Sequence, residues 1–416
     1  MDKNEFNKAY NLGNLDKDLF KKIDAEKVAI SEIVGKPKRN LIEIFKRFFS
    51  NPFYAISFVI FVTLLILAII VTFNSPYDAE SAIVSNLPTN DVIYNLPPSW
   101  SPMLSQSRVV PQDLQTQISL IQSAFPELDL QYVITTATAN QTTATWNAYV
   151  LIQGMVMRRE AALVAAYPGA IAGIGNAAAY QIKEASLLTS YFGTDLAGID
   201  VWTRTGVSIT NSLGLAFLVS TITMVIGSGI GIYLGFHVGT WIDTLLLRII
   251  EIFTLLPVLV FFVILTAAFG TSFWALVVSL IFVGWADPVR TARLYTIILK
   301  DREFVVAAQS IGASKTRRII YHILPAILGK LINVYVLSIP GIIFLVSSLA
   351  FLGFFNDPNA ANLGNVLRRA ATPTQFEANL WALLLPAGAL LLITLSLQFV
   401  AVGFHDALDP RLGKAK

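Results

Sequence analysis

Six runs of this chain are too long and too apolar to rest anywhere but across a lipid bilayer. They fall near 54–73 (YAISFVIFVTLLILAIIVTF), 211–236, 244–269, 272–290, 331–354 and 380–403. A helix needs roughly 20 residues to cross about 30 Å of hydrocarbon. Outside a closed barrel, the helix is the one structure that satisfies its own backbone there. Only Gly270-Thr271-Ser272 parts the third and fourth runs, which predicts a helical hairpin. Charged residues make up 14% of the chain, against roughly 25% in a soluble domain. The expectation is an all-α integral membrane protein with six transmembrane helices. The first run follows a long polar tail with no small-residue cleavage pattern close behind it, so it reads as a retained span.

Lysine and arginine near the span ends set the orientation. Lys36, Lys38, Arg39, Lys46 and Arg47 precede the first run against Glu43 alone. Arg290, Arg293, Lys300, Arg302, Lys315, Arg317, Arg318 and Lys330 lie between the fourth and fifth, against Asp301 and Glu303. Both segments should be cytoplasmic, and six spans put them on one side. The chain then divides into a cytoplasmic tail (1–53), a first helix (54–73), a large extracytoplasmic insert (74–210), a five-helix core (211–403) containing a cytoplasmic segment (290–330), and a cytoplasmic tail (404–416). The insert holds five basic and ten acidic residues, which suits the outside. Within it, 161–180 (AALVAAYPGAIAGIGNAAAY) competes as a membrane span. A seventh span would turn the basic 290–330 segment outward, so the insert reads as a small folded or docking domain. Asn140-Gln141-Thr142 fits a glycosylation sequon, a pattern short enough to occur by chance.

Residues 303–325, EFVVAAQSIGASKTRRIIYHILP, read as a mechanical part. Asp301 is placed to cap a short helix with Phe304, Val305, Ala308 and Ile311 along one side. Ala307 and Ala308 let another surface come close, and Gly312 permits a turn that a β-carbon disfavours. A second helix starts at Ser314 and carries Lys315, Arg317 and Arg318. Leu324-Pro325 marks the next membrane helix, since proline suits a first helical turn. The plainer alternative is a basic loop that only fixes topology.

Catalytic signatures are missing from the sequence. No G-x-x-x-x-G-K-[ST] occurs, and Gly312-Ala313-Ser314-Lys315-Thr316 has the wrong spacing for one. The chain has no cysteine, and His237, His322 and His405 lie far apart, so no metal site is evident. The chain is therefore expected not to be an enzyme. Few ionisable residues enter the runs. Arg248 and Glu251, three apart on one helix face, make a candidate pair. Asp287 marks the cytoplasmic end of the fourth run, and Pro257 and Pro340 are candidate kinks.

Three stretches carry a family resemblance. Val306-Ala307-Ala308, Gly312 and Leu324-Pro325 resemble the EAA loop of ABC importer membrane subunits, with Val306 for the usual Glu and His322 for an apolar residue; Glu303, one turn earlier, substitutes in part. Gly193-Thr194-Asp195-Leu196-Ala197-Gly198-Ile199-Asp200 resembles the GTDxxGRD signature of oligopeptide/dipeptide permeases, with Ile199 for Arg. Residues 406–412, DALDPRL, resemble that family's closing RDALDPRL, with His405 for the first Arg. The opening FKRFFSNPFYAISFVIFVTLLILAII is similar to that of the C-type subunit. The resemblance covers 41–73 and 191–413, not 100–190.

This resemblance implies a six-helix permease subunit of an ATP-driven peptide importer in the cell membrane. It implies a homologous second permease, two ATPase subunits that bind ATP and Mg, an extracytoplasmic substrate-binding protein and a peptide substrate as partners. Lipid surrounds the chain, with no nucleic acid and no cofactor of its own. Glu303, Ala307, Ala308, Gly312, Leu324 and Pro325 would form the ATPase-coupling loop. Gly193, Thr194, Asp195, Gly198 and Asp200 either form a turn, with Asp195 or Asp200 capping a helix, or contact the binding protein. Asp406, Asp409, Pro410 and Arg411 either stop the last helix at the interface or touch the ATPase. Nickel or metal-chelate importers share the fold. An ion-coupled secondary carrier would instead require Glu251, and an adhesin or scaffold would work through 74–210.

Overall fold

The computed structural model describes residues 40–83, 96–106, 112–138, 141–166, 189–255, 257–270, 272–354 and 362–408. Asn140, Asp409, Pro410, Arg411 and 167–180 of the rival span lie outside them.

A short helix α1 (Asn40–Ser50) leads into α2 (Pro52–Asn74), the first span. Asn51 caps α2 by accepting from the Phe53 amide at 3.0 Å, and Pro52 opens it. The second span, α5 (Val201–Phe236), begins ten residues before the apolar run does. The third run divides into α6 (Trp241–Leu255) and α7 (Val258–Phe269), whose axes lie at 93° to each other. Pro257 lies at the break, where it lacks an amide hydrogen and clashes with the preceding turn. Among the described residues, five helices are long and apolar enough to cross a membrane, or six if the bent pair makes one span. α7 packs on α8 (Phe273–Gly284) across a turn with Gly270 at φ 80°, the expected hairpin.

Two spans extend well into the polar segment between them. α8 passes through Trp285 into α9 (Ala286–Lys300). After α10 (Glu303–Ser310), α11 (Lys315–Arg318) runs through a π turn, Ile319–Ile323, into α12 (Leu324–Phe351). Pro340 sits inside α12 without ending it. Two short helices, α13 (Leu363–Ala370) and α14 (Pro373–Ala378), precede the last span, α15 (Trp381–Leu408).

The segment between α2 and α5 departs from the all-α expectation. β1 (Met103–Gln106) and β2 (Val133–Thr138) flank β3 (Gln141–Asn147) in an antiparallel sheet, with Met103 opposite Asn147 and Val133 opposite Thr145. VITTAT and QTTATWN are rich in the β-branched residues that suit a pleated surface. Two helices, α3 (Gln112–Ala124) and α4 (Ala148–Ala166), accompany the sheet. Ile118, Ile121, Leu130, Trp146, Leu151 and Ile152 form a core of their own beside the sheet.

α5 is the central helix of the bundle, with α2, α9, α12 and α15 around it. Its closest neighbour is α9. Gly227, Gly231 and Gly235 recur every fourth residue and face Pro288, Val289, Ala292, Arg293 and Thr296. Small residues at this spacing let membrane helices approach to backbone contact.

Candidate functional site

The outer signature folds into a compact knot ahead of α5. Asp200 caps α5, its carboxylate accepting from the Thr203 amide at 2.7 Å, the Thr203 hydroxyl at 2.6 Å, and the Ser190 hydroxyl. Burial pushes the Asp200 carboxyl above the usual range, although the bonds from Ser190 and Thr203 oppose this. Asp195 closes its own turn, accepting from the amides of Ala197 at 2.9 Å and Ile199 at 3.0 Å. Its other oxygen meets the guanidinium of Arg204 at 3.2 Å, a buried ion pair. Gly193 holds φ 77°, and a β-carbon there would lie 2.1 Å from the Leu96 carbonyl. Thr194 pairs with Leu96 through amide and hydroxyl, at 3.0 and 2.8 Å. Gly198, at φ 74°, completes the turn.

Distant segments converge on this knot. Asn379, between α14 and α15, donates to the carbonyls of Phe192 at 2.9 Å and Thr194 at 3.1 Å. Gln375 on α14 accepts from the Leu196 amide at 2.6 Å. Tyr149, from the folded insert, directs its hydroxyl at the carbonyls of Pro97 (2.7 Å) and Ser190 (3.1 Å). Arg204, Asn379, Gln375, Ser190 and Tyr149 carry no local motif, so sequence reasoning missed them. The signal available was a lone arginine early in an apolar run.

The 301–325 segment is a helix–turn–helix, with three corrections to the expectation. Asp301 ends α9 instead of capping α10, and Arg302 takes the cap position without a side-chain bond. The expected apolar side is split: Val305 and Ala308 are buried, while Phe304 and Ile311 are exposed, Ile311 at 88%. The second helix is no separate piece, because α11 continues into α12. Ser314 caps it as expected, accepting from the Arg317 amide at 3.3 Å. Gly312 turns the chain at φ 86° with open space where a β-carbon would stand. Glu303 opens α10 and is exposed, as is Ala307, and Pro325 lies in the first turn of α12 after half-buried Leu324.

Val305 joins Ile232 of α5, Ala292 of α9, Ile323, and Ile327 and Leu331 of α12 in one buried cluster. The Arg318 guanidinium lies 5.1 Å above the Phe236 ring at the end of α5. Val305 of α10 thus packs against α5, α9 and α12 together.

The remaining candidates serve as ties. Arg248 and Glu251 pair at 2.7 Å and are largely exposed, 72% and 52%. A stronger, unforeseen pair lies nearby. Arg293 on α9 grips buried Asp243 on α6 through two bonds, at 2.7 and 2.8 Å. Asp406, near the end of α15, accepts from Tyr54 of α2 at 2.5 Å. Phe48 stacks on Phe404 beside them, with ring centroids 4.8 Å apart.

Comparison with known sequences separates the chain into matching parts. Residues 227–414 match the family of binding-protein-dependent transport system inner membrane components. Residues 41–98 match the N-terminal transmembrane domain of oligopeptide transport permease C. An oligopeptide transport system permease protein of Mycoplasma pneumoniae is 30% identical over 404 residues, 95% of this chain and 97% of that protein. Such coverage must run through most of the insert. A counterpart of the same name from Haemophilus influenzae is 34% identical over 222 residues, 53% of this chain and 70% of its own. A dipeptide transport system permease protein of Bacillus subtilis is 33% identical over 222 residues, covering 53% and 69%.

Proposed function

Because this chain belongs to the family of oligopeptide and dipeptide ABC transport permeases, we propose that it forms one half of the translocation path of an ATP-driven peptide importer. In this reading a homologous permease supplies the other half. Two ATPase subunits bind and hydrolyse ATP with Mg, and a substrate-binding protein delivers peptide from outside. Both termini and the 301–325 segment are cytoplasmic, and the folded insert faces outward. The relatives' names favour peptides over metal chelates as cargo.

The observation that carries this proposal is the two-sided build of the 301–325 segment. Its outer side offers Phe304, Val306 and Ile311 to a partner, with Glu303 at the helix start. Its inner side, through Val305, is part of the bundle core. An ATPase seated on the outer side moves α10, and the shared cluster passes that movement to α5, α9 and α12. This switches the bundle between inward- and outward-open states. Rigid transmission needs close packing, which the α5–α9 contact supplies.

Co-purification from membranes tests the docking. Gly312→Asp places a carboxylate at the exposed turn; no atom lies within 4 Å of its β-carbon, but φ 86° strains any side chain there, so the variant alters the turn as well as its charge. ATPase subunits should co-purify with the unaltered chain and be lost with the variant, while both chains insert equally. Equal recovery of ATPase by both would remove the segment from the coupling role.

A further inference from the structure

Helix α1 offers more apolar surface than the bundle covers. Residues four apart on a helix lie one above the other. Ile44 and Phe48 therefore form one row, Phe45 and Phe49 the next, and Lys46 and Ser50 the next again. The first row faces inward. Phe48 is buried, stacked on Phe404 of α15 and edge-on to Phe58 of α2, with ring centroids 4.8 and 5.9 Å away. Ile44 packs into the same cluster. α1 therefore straddles the adjoining ends of two spans. The second row is left open, with Phe45 49% and Phe49 46% exposed. Lys46 and Ser50 are exposed beside it.

What lies next to this row identifies what covers it. Phe49 meets Phe58 edge-on, 5.5 Å between centroids, and Phe53, Ile56 and Val59 continue the exposed apolar surface along α2. The flank of the row is basic. Lys46 borders it, and Lys36, Lys38, Arg39 and Arg47 lie close in sequence against Glu43 alone. Phe273 and Trp274, exposed at the start of α8, have no such company, since no Lys or Arg lies between Arg248 and Arg290. Aromatic side chains continuous with the apolar side of a span belong among acyl chains. A basic flank at the end of that span attracts headgroups of net negative charge.

We infer that α1 is a binding site for anionic phospholipid at the membrane surface: Phe45 and Phe49 rest among the acyl chains, and Lys46 pairs with the headgroup. The site is separate from the path of the cargo and from the 301–325 segment.

The whole transporter in phosphatidylcholine vesicles tests this. The vesicles carry a trace of either phosphatidylglycerol or phosphatidylcholine with a photoactivatable group in the acyl chain, and adducts are located by peptide mass. One basic residue near an anionic surface changes the local lipid by about 5-fold. Residues 45–56 should therefore take at least ~5-fold more phosphatidylglycerol than phosphatidylcholine, while 273–278 take the two alike. Lys46→Gln, at an exposed position, should lower the ratio at 45–56 by about 5-fold. Raising the salt from about 0.1 to about 0.5 M should lower it too, because screening shortens the reach of the charge.

Lipid adducts on 273–278 with none on 45–56 would overturn the inference, since another subunit would then cover the row. Equal labelling of 45–56 by the two lipids, or a ratio that Lys46→Gln leaves unchanged, would overturn the charged contact.

Discussion

The glycine seam between α5 and α9 gives a sharp prediction at Gly231. A β-carbon there would stand 2.4 Å from the Val289 carbonyl oxygen and 2.8 Å from the Ala292 β-carbon. Carbon and carbonyl oxygen ordinarily meet at about 3.3 Å or more, so the two helices must part by roughly 1 Å. The obstruction is backbone, which cannot rotate aside. Inserting atoms into a packed contact costs about 1–3 kcal/mol. Alanine recovers about 0.5–1 kcal/mol relative to glycine in a helix. Gly231→Ala should therefore lose roughly 0–2.5 kcal/mol net, most simply about 1.

Gly229, two residues away, supplies the control. It faces open space with nothing within 4 Å of its β-carbon position, so Gly229→Ala should be neutral or slightly stabilising. The assay is thermal unfolding in detergent, followed by tryptophan fluorescence. At roughly 1 °C per kcal/mol for a chain of this length, Gly231→Ala should melt about 1–3 °C below Gly229→Ala. α9 leads directly into α10, so the Gly231 variant should also bind ATPase subunits less well. Equal melting of the two variants would refute close packing as the basis of the seam.

Two further predictions concern buried carboxylates. Asp200 has a folded-state pKa raised by burial, so the folded chain binds its proton more tightly than the unfolded chain. Its contribution to stability is complete below the unfolded value of about 4 and declines as pH rises through the folded value. Asp200→Asn should flatten that decline in melting curves taken from pH 4 to 8; a variant with the same slope as the unaltered chain would count against it. At the other end of the bundle, Asp243→Asn leaves Arg293 without its charged partner, and breaking a buried pair costs about 3–5 kcal/mol. Arg293→Lys should fail to restore both bonds, because a lysine lacks the planar fork. Unchanged melting in both variants would show that the pair contributes nothing.

The GTDLAGID stretch shows how far local reasoning reached. Gly193 and Gly198 are legible because left-handed turns favour glycine, and Asp200 because a carboxylate ahead of an apolar run reads as a cap. That the cap serves the long α5 was hidden, since Thr203, Arg204 and Ser208 interrupt the apolar pattern at its start. The 301–325 segment followed the same course. Gly312 and Ser314 shape it as local chemistry demands, but the inward side of α10 depended on where α5 and α12 lie.

By itself the sequence determined which stretches are long and apolar enough to cross a membrane, where positive charge gathers, and that turns fall at Gly193, Gly198 and Gly312, but it misplaced the Asp301 cap. Each is a property of a few neighbouring residues set against water or hydrocarbon. Tertiary structure alone decided that the insert builds a sheet with its own core, that Asn379 reaches the Phe192 and Thr194 carbonyls, and that Asp243 meets Arg293. It also decided that Gly227, Gly231 and Gly235 of α5 face α9. These outcomes depend on distances between residues far apart in the chain, and no local pattern encodes the partner that burial selects.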